Sequence, residues 1–321
     1  MKQFTTETQS KRRDAQSISP WLSASPLWLC GEYTRRGWKP IRRETLYALL
    51  VALVFMGGIL FFGIRWIETS ITFHPDRWSP GETWALPQGG EDVWFTTHDG
   101  VRLHGWFVRS RSVTPTATVI FFHGNGGNIN NLGWLGEELA ARGFDALLFD
   151  YRGYGRSEGA VTGEQGIYAD ADAAYDYVLR ERGARPERLV LYGQSLGTTA
   201  VADVASRRAA GAIILESGLS SASDMAASIF PWLPRRLHGL GRNRFESARK
   251  LSSVRCPVLI THGDPDPTIP TEQGHKLYAA ANEPKKLLII PGAGHGVSSF
   301  GGGRYFDTVA EFIREAVGYE S

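Results

Sequence analysis

Ser195 stands in the pentapeptide Gly193-Gln194-Ser195-Leu196-Gly197, directly after the aliphatic run 189–192 and before small residues suited to a helix. This strand, turn and helix order around G-x-S-x-G is the setting of a nucleophilic serine. Glycines flank it because the turn is too sharp for side chains on either side, while the hydroxyl must stand exposed at the strand end. A serine hydroxyl is a poor nucleophile until a neutral imidazole accepts its proton, and a buried carboxylate fixes the imidazole tautomer and stabilises the imidazolium. The chain must therefore also supply a base, an acid and donors for an oxyanion.

The pentapeptide alone carries little weight in a chain with 37 glycines, and Gly155-Arg156-Ser157-Glu158-Gly159 fits the same pattern. Ser157, however, lies several residues beyond the strand-like run 146–149, in a glycine-rich loop, and Gly163 interrupts the chain again before any helical pattern begins. It reads as a structural loop residue.

Two later strand ends supply the acid and then the base, giving the chain order Ser, Asp, His. The run 256–262 reads as a buried strand, and the proline-rich stretch 264–270 as the rigid loop after it, holding Asp264 and Asp266. Asp266 has a proline on each side, which restricts its backbone and aims its carboxylate, so it is the expected acid. Asp264 is expected to cap the turn through an Asx hydrogen bond. The next strand, 286–290, runs into Pro291-Gly292-Ala293-Gly294-His295-Gly296, where glycines let the backbone bring an imidazole close to the serine. His295 is the expected base. His262 ends a strand and reads as support for the acid loop. His74, His98, His104, His238 and His275 have no comparable setting and read as surface or loop residues.

The oxyanion donors are expected from backbone. The strand 118–122 ends in His123-Gly124-Asn125-Gly126-Gly127-Asn128, and a serine in this kind of elbow takes one N–H from such a loop and one from the residue after itself. These are Asn125 and Leu196. A phosphate-binding loop is the competing reading, but neither Gly-Lys-Ser/Thr nor G-x-G-x-x-G opening a helix is present. No HExxH, CxxC or His/Cys ligand spacing calls for a metal, and no cofactor is implied.

From about residue 71 to 319 the chain resembles the α/β-hydrolase fold. More narrowly, it is similar to the membrane-anchored, small-lid α/β-hydrolase-domain proteins of the prolyl-oligopeptidase and serine-aminopeptidase-like branch. The pieces that carry the resemblance are Ile71-Thr-Phe-His-Pro75, Thr97-His-Asp-Gly-Val-Arg-Leu-His-Gly-Trp106, the loop at 123–128, Asp150-Tyr-Arg-Gly-Tyr-Gly-Arg-Ser-Glu-Gly159, the Ser195 elbow, His262-Gly-x-x-Asp266 and Gly294-His295. The resemblance implies hydrolysis but no particular substrate, since such proteins include esterases, thioesterases and peptidases. Prolines on both sides of Asp266, and Gly296 where many relatives carry Asn, depart from the common pattern.

The elements that must position these residues are marked by periodicity. Strands are expected near 92–96, 101–109, 117–122, 145–149, 188–192, 212–215, 257–262 and 286–290, alternating after an opening hairpin at Asp99-Gly100 with helix-length segments. That predicts a mostly parallel sheet with helices on both faces. Residues 304–317 predict a one-faced helix through Phe306, Val309, Phe312, Ile313 and Val317. Between about 217 and 255 lies room for a short cap, whose apolar centre 229–234 would offer a greasy inner surface to an acyl group.

Residues 45–64 form an uncharged run of twenty, which at about 1.5 Å per residue spans the roughly 30 Å hydrocarbon core. One transmembrane signal anchor is therefore expected at 45–66, joining a basic arm 1–44 to a hydrolase domain 71–321. More than forty residues precede the apolar run and no small-residue cleavage site comes closely after it, which argues against a cleaved signal peptide. The arm has nine Lys/Arg against four Asp/Glu, although the whole chain stands at only +2. Lys39, Arg42 and Arg43 before the span predict a cytoplasmic N-terminus and a catalytic domain on the opposite side, periplasmic, lumenal or extracellular. Charge confined to a membrane-proximal tail gives no support for nucleic-acid binding. Cys30 and Cys256 would then lie on opposite sides of the bilayer, which precludes pairing within the chain.

The chain thus reads as a single-pass membrane-anchored serine hydrolase that cleaves carboxylic esters or thioesters of small or lipid-like acyl compounds through an acyl-enzyme. A peptidase is the alternative enzyme reading, and a noncatalytic membrane scaffold the alternative from another class.

Overall fold

The computed structural model describes residues 42–239 and 241–318, so most of the basic arm, with Cys30, lies outside the described residues. Residues 58–321 group into one compact unit, and residues 1–57 into another of which only 42–57 are described. Helix α1 (Arg43–Thr72) has 30 residues and none is buried. At 1.5 Å per residue it is about 45 Å long, enough to cross a hydrocarbon core of about 30 Å. It is a candidate transmembrane span, and it continues beyond the expected end at 66.

Strands β1 (Gly90–Thr96), β2 (Arg102–Val108), β3 (Ala117–Phe122), β4 (Phe144–Phe149), β5 (Leu189–Gln194), β6 (Ala212–Glu216), β7 (Val258–Asp264) and β8 (Lys285–Pro291) form one sheet in the order β1-β2-β4-β3-β5-β6-β7-β8. Only β1 with β2 and β2 with β4 pair antiparallel, and the remaining neighbours are parallel. Strands β3 and β6 are buried throughout, as strands covered on both faces must be, and their continuous apolar runs reflect it.

The helices are α2 (Gly133–Ala141), α3 (Glu164–Glu181), α4 (Gly197–Arg207), α5 (Ala222–Ile229), α6 (Ser247–Leu251), α7 (Thr271–Ala280) and α8 (Val297–Gly318). Alternation along the strands divides the core in two. Ile120, Phe122 and Leu191 pack in a cluster with α3, α4, α6 and α7 residues. Val119, Phe121 and Tyr192 pack instead with α2 and α8. This is the α/β-hydrolase fold expected from the sequence, with helices on both faces. Helix α8 begins seven residues earlier than expected, but Gly302, at φ 51° and ψ −143°, breaks it near the expected start at 304.

The segment between β6 and β7 carries α5, a short turn at Arg235–Leu237 and α6. The greasy inner surface expected at 229–234 is not formed: Ile229, Phe230 and Trp232 are exposed, Trp232 by 77 %. Local polarity signals the cap, with Ser221 accepting a hydrogen bond from the Asp224 N–H to start α5, but which way an apolar side chain faces in so short a helix is set by packing. Cys256, expected as a buried core residue, is half-buried just before β7, and burial pushes its thiol up to about 11.

Candidate active site

Ser195 comes directly after β5 with φ at 52°, a left-handed conformation costing on the order of 1–3 kcal/mol outside glycine. The surroundings hold it there. The Ser195 N–H donates to Glu216 O at 2.8 Å, and Ser195 O accepts from the Thr198 N–H at 3.1 Å. A Cβ on Gly193 would come within 2.6 Å of Gly197 backbone, and one on Gly197 within 1.9 Å of Phe122 O. Both flanking glycines are thus fixed by backbone crowding, and the elbow presses against the end of β3.

Asp266 and His295 come together on the loops after β7 and β8. The His295 Nδ1–H donates to Asp266 Oδ2 at 2.8 Å, with the Asp266 side chain fully buried and His295 partly exposed. Asp266 Oδ1 accepts from the Thr268 and Ile269 N–H groups at 2.8 and 2.9 Å. The Asx turn expected of Asp264 is therefore made by Asp266, while Asp264 ends β7 with an exposed side chain. His262 is buried, its Nε2 2.8 Å from Ile269 O and 3.3 Å from Asp266 Oδ2. Burial works to raise the Asp266 pKa, but hydrogen bonds from His262, His295, Ile269 and Thr268 outweigh it and hold the carboxyl well below the usual range. Anionic Asp266 facing Nδ1–H leaves His295 Nε2 as the free basic nitrogen. The two loops meet because Gly263 has no side chain: a Cβ there would lie 1.9 Å from Gly294 O.

Asn125 and Leu196 occupy the loop after β3 and the entry to α4. Gly124 lies against the elbow, where a Cβ would stand 3.5 Å from Ser195 Cβ. Among the described residues, neither the Asn125 nor the Leu196 N–H donates to a protein acceptor. Two backbone donors near a serine remain available to a developing oxyanion.

Ser157 is elsewhere and already occupied. It is buried, its O–H donating to Asp150 O at 2.7 Å and its Oγ accepting from the His104 N–H at 2.9 Å.

Sequence reasoning missed Glu216. Fully buried at the end of β6, its Oε1 accepts from Gln194 Nε2 at 3.0 Å and from the Ser298 N–H and O–H at 2.9 Å each. Tyr192 O–H donates to its other oxygen. The carboxylate thereby ties the residue before Ser195 to the start of α8, three residues after His295. The available signal was an acidic residue closing an otherwise apolar strand, which burial makes costly unless every oxygen is paired.

A family model described as serine aminopeptidase, S33, matches residues 113–249 of the chain. An uncharacterized protein of Mycobacterium tuberculosis is 34 % identical over 83 % of this chain and 93 % of its own length. Protein YfhR of Escherichia coli is 34 % identical over 84 % of this chain and 95 % of its own. Human alpha/beta hydrolase domain-containing protein 17B is 33 % identical over 68 % and 73 %. Among solved structures, a Pyrococcus furiosus esterase aligns with a TM-score of 0.60 at 20 % identity, over 77 % of this chain and 98 % of its own. A Pyrococcus horikoshii acylaminoacyl peptidase aligns at 0.58 and 18 %, over 72 % of this chain and 42 % of its own. At such identity the two structures bear on fold alone, and one is an esterase and the other a peptidase.

Proposed function

The chain belongs to the α/β-hydrolase family, and from that premise we propose that it is a membrane-anchored serine hydrolase acting on carboxylic esters or thioesters through an acyl-enzyme. The observation that carries this reading is the pairing of Asp266 with His295 Nδ1 at 2.8 Å, on strand ends of the same sheet edge as a serine held at positive φ. In this mechanism Ser195 Oγ attacks the acyl carbonyl as His295 Nε2 takes its proton. Asp266 holds the tautomer and stabilises the imidazolium. The tetrahedral oxyanion is met by the Asn125 and Leu196 N–H groups, each such donor contributing about 3–4 kcal/mol in comparable sites. His295 then returns the proton to the leaving alcohol or thiol. The ester's acyl group stays on Ser195 until water, activated by the same imidazole, releases it.

The anchor is residues 45–66, with the N-terminus cytoplasmic and the catalytic unit on the opposite face, on the strength of the basic residues before the span. Lipid-like acyl substrates suit this placement. Glu68, two residues past the proposed span, accepts hydrogen bonds from the Arg242 and Asn243 N–H groups of the cap, which supports a cap that works close to the end of that span. Its exposed Ile229, Phe230 and Trp232 offer apolar surface there.

A panel of p-nitrophenyl esters of graded chain length, beside thioesters and aminoacyl amides, tests the substrate class. Residues 66–321 should prefer medium acyl chains to acetyl, and the full chain should gain further on membrane-embedded esters. A preference for acetyl, or faster cleavage of aminoacyl amides than of any ester, would move the assignment to a peptidase or a small-ester enzyme.

A further inference from the structure

We propose that residues 68–78, running from the end of α1 toward the sheet, are a strap that sets the position of the oxyanion loop, with His74 and the side chain of Asn125 as its positioning residues. The proposal rests on the hydrolase reading above, in which the Asn125 N–H meets the oxyanion.

A primary amide side chain has two donor hydrogens and two acceptor lone pairs. Asn125 uses all four. Its Nδ2 donates to Thr72 O at 2.7 Å and to His74 Nδ1 at 2.9 Å. Its Oδ1 accepts from the His74 N–H and from Tyr154 O–H, each at 3.0 Å. Three of the four partners thus come from residues 72–74. The loop's ends are held by His123 O, which accepts from Tyr151 O–H at 3.3 Å, and by Asn128 Nδ2, which donates to Asp76 O of the strap at 3.3 Å, while Cβ atoms built on Gly126 and Gly127 between them would meet nothing within 4 Å.

The strap itself is held on both sides of this clamp. Upstream, Glu68 Oε1 accepts from the Arg242 N–H at 2.7 Å, the Asn243 N–H at 2.9 Å and Asn243 Nδ2 at 3.2 Å. Phe73 is buried, its ring 6.1 Å from that of Phe245. Downstream, the Gly155 N–H donates to Asp76 O at 2.8 Å and the Trp78 N–H to Gly155 O at 3.0 Å. A clamp between two fixed points turns the position of α1's end into the position of Asn125. Thr72 is six residues past 66, about 9 Å of helix, so the candidate oxyanion donor stands one short segment from the proposed span. Oxyanion donors act only at a set distance from the developing charge, and a misplacement of about 1 Å in a catalytic group can cost 10²-fold.

The test uses full-length protein in detergent micelles with a medium-chain p-nitrophenyl ester. His74→Ala removes the ring acceptor, while His74→Asn offers Oδ1 in the place of Nδ1; Asn125→Ala keeps the backbone N–H but cuts the clamp. The expected result is a fall in kcat of about tenfold for His74→Ala and about 10²-fold for Asn125→Ala. KM stays within about twofold, melting temperatures stay close to wild type, and His74→Asn recovers most of the lost kcat. A trifluoromethyl ketone, which forms a tetrahedral oxyanion on the serine, should lose affinity in step with kcat. Unchanged kcat in His74→Ala, a rise in KM at constant kcat, or no recovery in His74→Asn overturns the strap. Ser195→Ala beside them separates the two claims: turnover lost there but intact in His74→Ala sinks the strap alone, and turnover surviving Ser195→Ala sinks the hydrolase reading and the strap with it.

Discussion

Ser195→Ala should abolish turnover, with a loss near the roughly 10⁶-fold scale seen when a triad serine is removed, and should abolish covalent labelling by a fluorophosphonate. The expectation comes from the elbow. Gly193 and Gly197 leave room for backbone contacts that a Cβ would block, and Ser195 keeps positive φ at a cost met by its surroundings. Ser157→Ala should keep its labelling, because Ser157 is buried and bonded to Asp150 O and the His104 N–H; its effect should be on thermal stability. A labelled Ser195→Ala protein would overturn the assignment, and would leave a scaffold with an unrelated reactive serine as the better description.

The second large effect is expected at Asp266. Its amide would present Nδ1 of His295 with the wrong partner and favour the wrong tautomer, a change costing about 10⁴ in kcat in the reference triad. Asp266→Asn should approach that loss, while exposed Asp264, whose side chain makes none of the turn's hydrogen bonds, should tolerate Asn with little change in rate or stability. The pH dependence gives a second readout. Because the Asp266 carboxyl is held below its ordinary value, its contribution to stability is fully present above about pH 4 and is lost as pH falls through the depressed pKa. Thermal melts between about pH 2 and 5 should therefore show a steeper acid limb in the wild type than in Asp266→Asn. A kinetic loss at Asp264 with Asp266 silent would transfer the acid role.

The central strands were legible because they are short apolar runs bounded by glycine, proline or polar residues, β1 and β2 because they flank the Asp99-Gly100 hairpin, and all eight stand within two residues of their expected positions. Both faces of a parallel sheet are buried, so hydrophobicity alone marks such strands. The glycines of the elbow were legible for the same local reason. What was not legible depends on partners distant in the chain. Glu216 looks like an ordinary strand terminus until Ser298, 82 residues later, comes to lie on its oxygen. Asp264 and Asp266 both suit an Asx turn by composition, and only the loop's path gives the Thr268 and Ile269 N–H groups to Asp266. His74 is exposed, as expected, but its bond to Asn125, 51 positions away, could not be read from the chain. The outward turn of Trp232 was missed because apolar character says nothing about which side of a short cap is wet, or faces lipid.

In the proposed mechanism every acyl group passes through Ser195, so the decisive experiment is to trap it there. Full-length protein in micelles, mixed briefly with a slowly deacylating medium-chain ester, quenched in acid and digested, should give a peptide spanning Gly193 to Gly197 heavier by one acyl group, with Ser195 as the modified residue. The modified fraction should decay as turnover completes. An acyl adduct found on another residue, or turnover proceeding with no adduct on this peptide at any time, would contradict catalysis through Ser195.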